Sequence, residues 1–332
     1  MDPVRTGIVG FGRMGERHLA QMRKTGRYDV RAACDRTPAR REAAEAQGLT
    51  AYERLDDLLD SDIELVLVAT HSVRHHPDAL RAAEAGKHLF VEKPLALTAS
   101  QAEEIVSAAQ ANGVALTVYH NRHNDPDYRL VKAAVRAGRI GRIVAVENRT
   151  LAARPAVNFG TPQFRRDWRI TAADGGGTLL DFGPHYVEQV LDLMQGRTVE
   201  AVFADVRHVR WGDADDLFHA DLRFRDGALA TVGKADVSFY APPDKWVILG
   251  EDATLHGPVR SGEEPQIELC GPEGAERSAA MIEAVDLHEN FADHLRSGAP
   301  LVIPPAHALR VMRVLQAMRE SAATGHSVQT AI

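Results

Sequence analysis

Asp181 and His185, four residues apart, are the pair in this 332-residue sequence best suited to moving a proton. An imidazole titrates near neutrality and can accept a hydroxyl proton while a hydride leaves the same carbon. On a helix that spacing puts both side chains on one face, where the carboxylate would orient the ring and favour its protonated form. Equally, such a pair can cap a helix and line a half-buried surface. Lys93 is the second candidate, two residues past the end of the apolar run 88–91. An ammonium at the carboxyl edge of a sheet could hydrogen-bond the reacting hydroxyl and stabilise alkoxide character. Read blandly, Glu92 and Lys93 are an exposed charged pair before Pro94.

Hydride chemistry needs a carrier, and residues 10–15 supply a place for one. Gly10, Phe11, Gly12, Arg13, Met14 and Gly15 form a G-x-G-x-x-G run between a strand pattern and a helix pattern. The first glycine makes the turn, the second admits a pyrophosphate, and the third lets helix and strand pack closely. The helix N-terminus then offers free N–H groups to the phosphates. Asp35 closes the next strand pattern twenty residues after Gly15. There it can accept bonds from the ribose hydroxyls of NAD and repel the 2′-phosphate of NADP. NAD is therefore expected, with NADP possible because Arg36 follows at once and could pair with that phosphate.

The elements that hold these groups follow from periodicity. Strand patterns at 6–9, 30–34, 65–69, 88–91 and 115–118 alternate with helix patterns at 14–24, 38–47, 76–85 and 99–111. This predicts an N-terminal Rossmann domain, a doubly wound parallel sheet, over residues 1–122. After a helix pattern at 128–137, strand patterns at 143–149, 199–206, 218–224, 228–235 and 246–249 follow one another, and helix patterns at 286–297 and 306–324 end the chain. Residues 123–332 are thus expected to form an α+β domain for substrate and oligomerisation, with a large, open, mostly antiparallel sheet.

Longer stretches resemble the Gfo/Idh/MocA family of glucose–fructose oxidoreductases, inositol dehydrogenases and rhizopine-catabolism proteins. They are residues 10–15, residues 85–95 (AGKHLFVEKPL), residues 175–185 (GGGTLLDFGPH), and Glu289, Asn290 and Phe291 before the last helix pattern. Together they cover nearly the whole chain, and residues 119–128 and 183–185 are most similar to the scyllo-inositol dehydrogenase branch. That branch commonly uses NADP and has another residue where Asp35 stands; many relatives have proline at His71.

The resemblance implies proton transfer by Asp181 and His185, a cis bond before Pro94, and dimers or tetramers that pack sheet to sheet. It also implies that His75 lies near the cofactor, as do Trp168 and Arg169 near the nicotinamide. Thr70, His71, Glu92, Lys93 and Asn121 are expected at the cofactor because they follow strands at the ligand-binding edge. Lys93, Arg122, His123, Asn124, Trp168, Arg169, His185 and Tyr240 are expected at the substrate, though loop polarity accounts for several of them equally.

Other functions are weighed against this. His71, His75 and His76, or His120, His123 and Asp125, lack the full spacing of a zinc site, so no metal is expected. Cys34 and Cys270 are too few for a disulfide framework. The net charge of −7 is spread without a single-sign block, which argues against nucleic acid or an anionic membrane as partner. No run approaches the roughly 18 apolar residues of a membrane span, no signal-peptide pattern opens the chain, and a cytoplasmic location is expected. The expected function is hydride transfer between nicotinamide and a secondary alcohol of an inositol, sugar or related polyol. The alternatives are a hydrolase or lyase that oxidises a sugar ring transiently on held NAD, and a non-catalytic ligand sensor. Retention of Lys93, Asp181 and His185 together weighs against the sensor.

Overall fold

The computed structural model describes residues 2–154, 168–257 and 265–332. The chain divides into two compact units, one built from residues 1–120 and 285–312, the other from 121–284 and 313–332, as far as these are described.

In the first unit, β1 (Val4–Val9), α1 (Arg13–Thr25), β2 (Tyr28–Cys34), α2 (Pro38–Ala46), β3 (Thr50–Tyr52), α3 (Leu55–Leu59), β4 (Leu65–Val68), α4 (Ser72–Glu84), β5 (His88–Glu92), α5 (Ala99–Ala111) and β6 (Leu116–Tyr119) follow in order. The six strands pair in parallel in the order β3-β2-β1-β4-β5-β6. All four residues of β4 are buried, as a parallel strand covered on both faces requires. Strand order reverses beside β1, and such reversals open the crevice where doubly wound sheets bind ligands. Gly26 ends α1 in the left-handed region, and Thr98 Oγ1 accepts the Gln101 N–H at the start of α5.

The second unit contains α6 (Pro126–Arg136), β7 (Ile143–Leu151), α7 (Thr178–Leu193), β8 (Val199–Arg207), β9 (Leu217–Phe224), β10 (Leu229–Ala235), β11 (Trp246–Gly250), β12 (Thr254–Gly257), β13 (Ile267–Gly271) and β14 (Gly274–Ser278). The chain ends with α8 (Leu287–Ser297), which belongs to the first unit, then α9 (Pro305–Thr324) and β15 (Val328–Gln329). The nine-stranded sheet runs β14-β13-β12-β11-β7-β10-β9-β8-β15, antiparallel except where β7 meets β10. Helix α7 packs on one face against β7, β9 and β10. On that face alternate residues such as Val202, Ala204, Leu222, Ala230, Val232 and Ile248 are buried, while Phe203, Leu229 and Leu249 stand exposed on the other.

The fold differs from the sequence reading in three ways. Val285–Met312 returns to the first unit, because α8 packs on α1 through His288 and sets Phe291 against Phe90. Helix α4 starts at Ser72, so Pro77, which a start at 76 would put in the first turn, lies inside it. The elements β3, α3, α7 and β12–β15 had no counterpart among the expected ones. Among the described residues, no helix is long and apolar enough to cross a membrane.

Candidate active site

The three glycines of the first turn have different physical origins. Gly10 has φ +88°, and a Cβ there would stand 2.6 Å from the Ala69 carbonyl oxygen, while one at Gly15 would collide with the Gly10 carbonyl. The fold itself demands both. Gly12 has an ordinary extended φ of −89°, and its nearest neighbour would be the Arg40 guanidinium at 3.4 Å. The chain would accept a side chain at this position, but a pyrophosphate drawn close to the backbone would not. No side chain caps α1, whose first turn holds exposed Arg13 and half-buried Met14, so the helix end suits phosphate oxygens. The turn therefore fits a dinucleotide.

Asp35 is buried and tied into that turn. Its Oδ2 accepts the N–H of fully buried Phe11 at 2.9 Å, and its Oδ1 accepts the Thr37 N–H at 2.8 Å. Oδ1 keeps a lone pair for a ribose hydroxyl. Arg36 is exposed, whereas Arg40 Nη1 lies 3.4 Å from Asp35 Oδ2 and Arg41 Nη1 donates to the Asp35 carbonyl at 2.9 Å. Sequence reasoning chose the adjacent arginine; the one that faces the turn sits a helical turn later, on α2. Cys34, next to Asp35, is buried, and burial pushes its thiol up to about 12.

The residues expected at the cofactor from the strand ends are tied into the fold by their own contacts. His75 is buried with Nδ1 2.6 Å from the Pro94 carbonyl and Nε2 3.1 Å from the Thr70 carbonyl. It braces the loops carrying Thr70 and Lys93, and burial pushes its pKa down. Thr70 Oγ1 donates to Asp78 Oδ2 at 3.2 Å, and His71 is the N-cap residue of α4. Glu92 is buried, not exposed: Oε1 meets His18 Nε2 at 3.0 Å and Oε2 accepts the Lys93 N–H at 3.1 Å. Lys93 is half-buried and followed by a cis bond to Pro94.

In the second unit, α7 presents Asp181 and His185 one turn apart, both buried. Asp181 Oδ2 accepts Arg169 Nε at 2.9 Å, and the Arg169 guanidinium lies 4.4 Å over the Trp168 ring. Gly176 makes this possible, since a Cβ there would stand 2.5 Å from the Trp168 carbonyl oxygen. The start of α7 is held by Asp215, whose Oδ2 accepts the Leu179 N–H at 2.7 Å and whose carbonyl accepts that of Thr178 at 2.8 Å. Burial, partly offset by the Leu179 bond, raises the Asp215 carboxyl to about 6.

Around Phe182 stand Arg122, 5.5 Å from the ring and paired with Asp125 at 3.1 Å, and Lys234, 4.3 Å from it and paired with Asp236. Lys234 was missed by sequence reasoning. Its signal was a lysine on the inward side of β10, in line with Ala230 and Val232. Burial pushes its pKa down, against the pull of Asp236 and Asp181. His123 corrects an expectation: Nδ1 meets Glu188 at 2.8 Å and Nε2 meets Lys132 at 3.1 Å, so both ring nitrogens serve a buried network. Asn121 and Asn124 bound the short helical turn that contains Arg122, and Tyr240 is 63% exposed on the loop after β10. One group among the described residues, His256, Glu268 and Cys270, could hold a metal, although His256 already faces Asp244 and Glu268 already faces Arg277.

With this geometry in place, the chain belongs to the Gfo/Idh/MocA oxidoreductases. Residues 4–120 match that family's NAD-binding Rossmann fold and residues 128–256 its C-terminal domain. Over 97% of the chain it is 27% identical to a scyllo-inositol 2-dehydrogenase (NADP(+)), IolW, of Bacillus subtilis, of which 94% is covered. An NAD-binding protein from Listeria innocua superimposes with a TM-score of 0.88 at 26% identity, covering 99% of this chain and 97% of that one. The WlbA dehydrogenase from Bordetella pertussis, solved with NADH and UDP-GlcNAcA, does so with a TM-score of 0.83 at 28% identity and 99% coverage of both. The protein is an NAD-binding oxidoreductase.

Proposed function

We propose that this enzyme transfers a hydride between nicotinamide and a secondary alcohol of an inositol, a sugar or a related polyol. The observation that carries the proposal is the buried carboxylate–imidazole pair, Asp181 and His185, one turn apart on α7. Nicotinamide, when bound, supplies the hydride acceptor. His185 then takes the hydroxyl proton, and the negative charge of Asp181 favours the imidazolium so formed. Arg169 holds that carboxylate in place through Oδ2. Lys93, fixed between buried Glu92 and the brace of His75 on Pro94, donates to the reacting oxygen and stabilises its alkoxide character. The scyllo-inositol 2-dehydrogenase relative supports a polyol as substrate.

A panel of inositols, aldoses and sugar acids assayed for NADH and NADPH formation identifies the substrate, and net reduced cofactor separates this function from transient ring oxidation. On the best substrate, His185→Ala and Lys93→Met should each lower turnover by roughly a hundredfold while leaving NAD affinity nearly unchanged. Near-normal turnover in His185→Ala would remove His185 from the chemistry.

A further inference from the structure

Behind Lys93, four titratable side chains from three segments of the first unit stand in a row. Asp286, the N-cap of α8, has Oδ1 3.4 Å from His288 Nδ1; His288 Nε2 lies 2.8 Å from His18 Nδ1; His18 Nε2 lies 3.0 Å from Glu92 Oε1. The row ends where Glu92 Oε2 accepts the Lys93 N–H. Both histidines are 1% exposed, and the rings of Phe90 and Tyr119 pack on them, His18 and Tyr119 at 4.5 Å. Nothing in the cofactor or proton-transfer roles above uses His18, His288 or Asp286.

The contacts fix the number of protons. A nitrogen–nitrogen hydrogen bond holds one proton, and each outer nitrogen faces a carboxylate, which accepts and does not donate when ionised. The four ring nitrogens therefore carry three protons between them, and one of the two rings is an imidazolium. Burial, with His18 also lowering it, pushes the His288 pKa down. The contact to Glu92 is the closer of the two, 3.0 Å from His18 Nε2 against 3.4 Å from His288 Nδ1 to Asp286, so the geometry sets the added proton on the Glu92 side, with His288 donating to Asp286 and accepting from His18. Burial alone would push Glu92 up, but the His18 bond together with the charges of His18, Lys93 and His75 outweighs it and holds the carboxyl below the usual carboxylate range. The remaining groups that act on the row are Lys93 and His75 on Glu92, Arg17 on Tyr119, Gln21 on Asp286 at 2.5 Å, and Tyr28, which donates to the His288 carbonyl at 2.5 Å.

We propose that Asp286, His288 and His18 form a buried row sharing one added proton, which keeps Glu92 ionised and fixed before Lys93 and makes the two histidines positioning residues for the reaction. The proposal rests on the assignment of Lys93 above. Its chemical consequence is specific: a neutral hydrogen-bond donor in place of His18 holds Glu92 in position but leaves it easier to protonate.

The test compares kcat and kcat/KM across pH for His18→Gln, His288→Leu and His288→Gln, with NAD affinity and thermal unfolding measured for each. In His18→Gln the acid limb of kcat/KM should move up by roughly one pH unit or more. His288→Leu should move it the same way, because it removes the acceptor of the His18 Nδ1 proton. His288→Gln, whose amide oxygen can accept that proton, should restore the wild-type profile. If His18→Gln does not fold, the leucine and glutamine variants at 288 carry the comparison. Identical pH profiles in all folded variants, with only the unfolding temperature lowered, would show a purely structural row and overturn the proposal. Imidazole nitrogen-15 spectra of the wild-type protein give a readout independent of turnover: three protonated nitrogens and one acceptor across His18 and His288 are expected at neutral pH. Two neutral rings would overturn the row even if Lys93→Met were inactive, whereas an active Lys93→Met with the three-proton signature would fault only the role of Lys93.

Discussion

Asp35 and Arg40 set opposite charges 3.4 Å apart beside Gly12, and cofactor choice depends on which of them the ribose meets. The carboxylate accepts two backbone N–H groups, which fixes its direction, and its Oδ1 keeps a lone pair for a ribose hydroxyl. NAD should therefore bind more tightly than NADP. Asp35→Ser should narrow or reverse that preference, and Arg40→Ala in the serine background should cancel the gain in NADP affinity, as measured by calorimetry. Tighter NADP binding by the wild-type protein would mean that arginine outweighs the carboxylate. Asp35 was legible in the sequence because it ends a strand at a known distance from the glycines. Arg40 was not, because its approach depends on where α2 begins, a turn beyond the residue that adjacency favours.

At the scale of elements, α7 carries Asp181 and His185, and its first turn depends on Asp215. That carboxyl titrates at about 6 when folded, against an ordinary value of 3.8. Between these pH values the folded state holds more protons than the unfolded chain, so stability falls as pH rises through the window. The loss is complete above the folded value and amounts to about 3 kcal/mol. Asp215→Asn, which can still accept the Leu179 N–H, should flatten this slope in urea unfolding at a series of pH values. A slope equal to that of the wild type would place the dependence elsewhere.

Most of the parallel sheet was legible from its alternating patterns, with α5 bounded at the residues the pattern gave. Helix α7 shows no clear period in the sequence because burial on nearly every side leaves no polar stripe to mark one, and a proline, Pro184, stands inside it. The short strands β3 and β15, of three and two residues, give too little alternation to read. The bonds that His75 and His123 make were not legible in the sequence. Histidines in a loop-rich neighbourhood suggest ligands, and only three-dimensional contacts reveal that carbonyls, a glutamate and a lysine already occupy their rings.

For the whole molecule, the face of the nine-stranded sheet opposite α7, exposed among the described residues, bears on assembly. Phe203, Leu229 and Leu249 are 45%, 52% and 44% exposed there, interspersed with charged residues such as Asp221 and Arg223. Apolar side chains on three strands of one face, with charges between them, suit a second copy of the chain. A homodimer or homotetramer is expected by light scattering at micromolar concentration. Phe203→Glu combined with Leu249→Glu should shift it toward the monomer. A wild-type monomer would leave that face without this role.

The return of Val285–Met312 to the first unit also has a consequence for how the protein is made. A ribosome releases residues 1–120 long before it has translated His288 and Phe291, which fill the space beside Phe90 and His18. The nucleotide-binding unit, although first in the chain, must wait with an unfinished interior while residues 121–284 are synthesised. Nascent domains commonly close in the order in which they emerge. Here the N-terminal unit is completed only after the bulk of its neighbour has already left the tunnel.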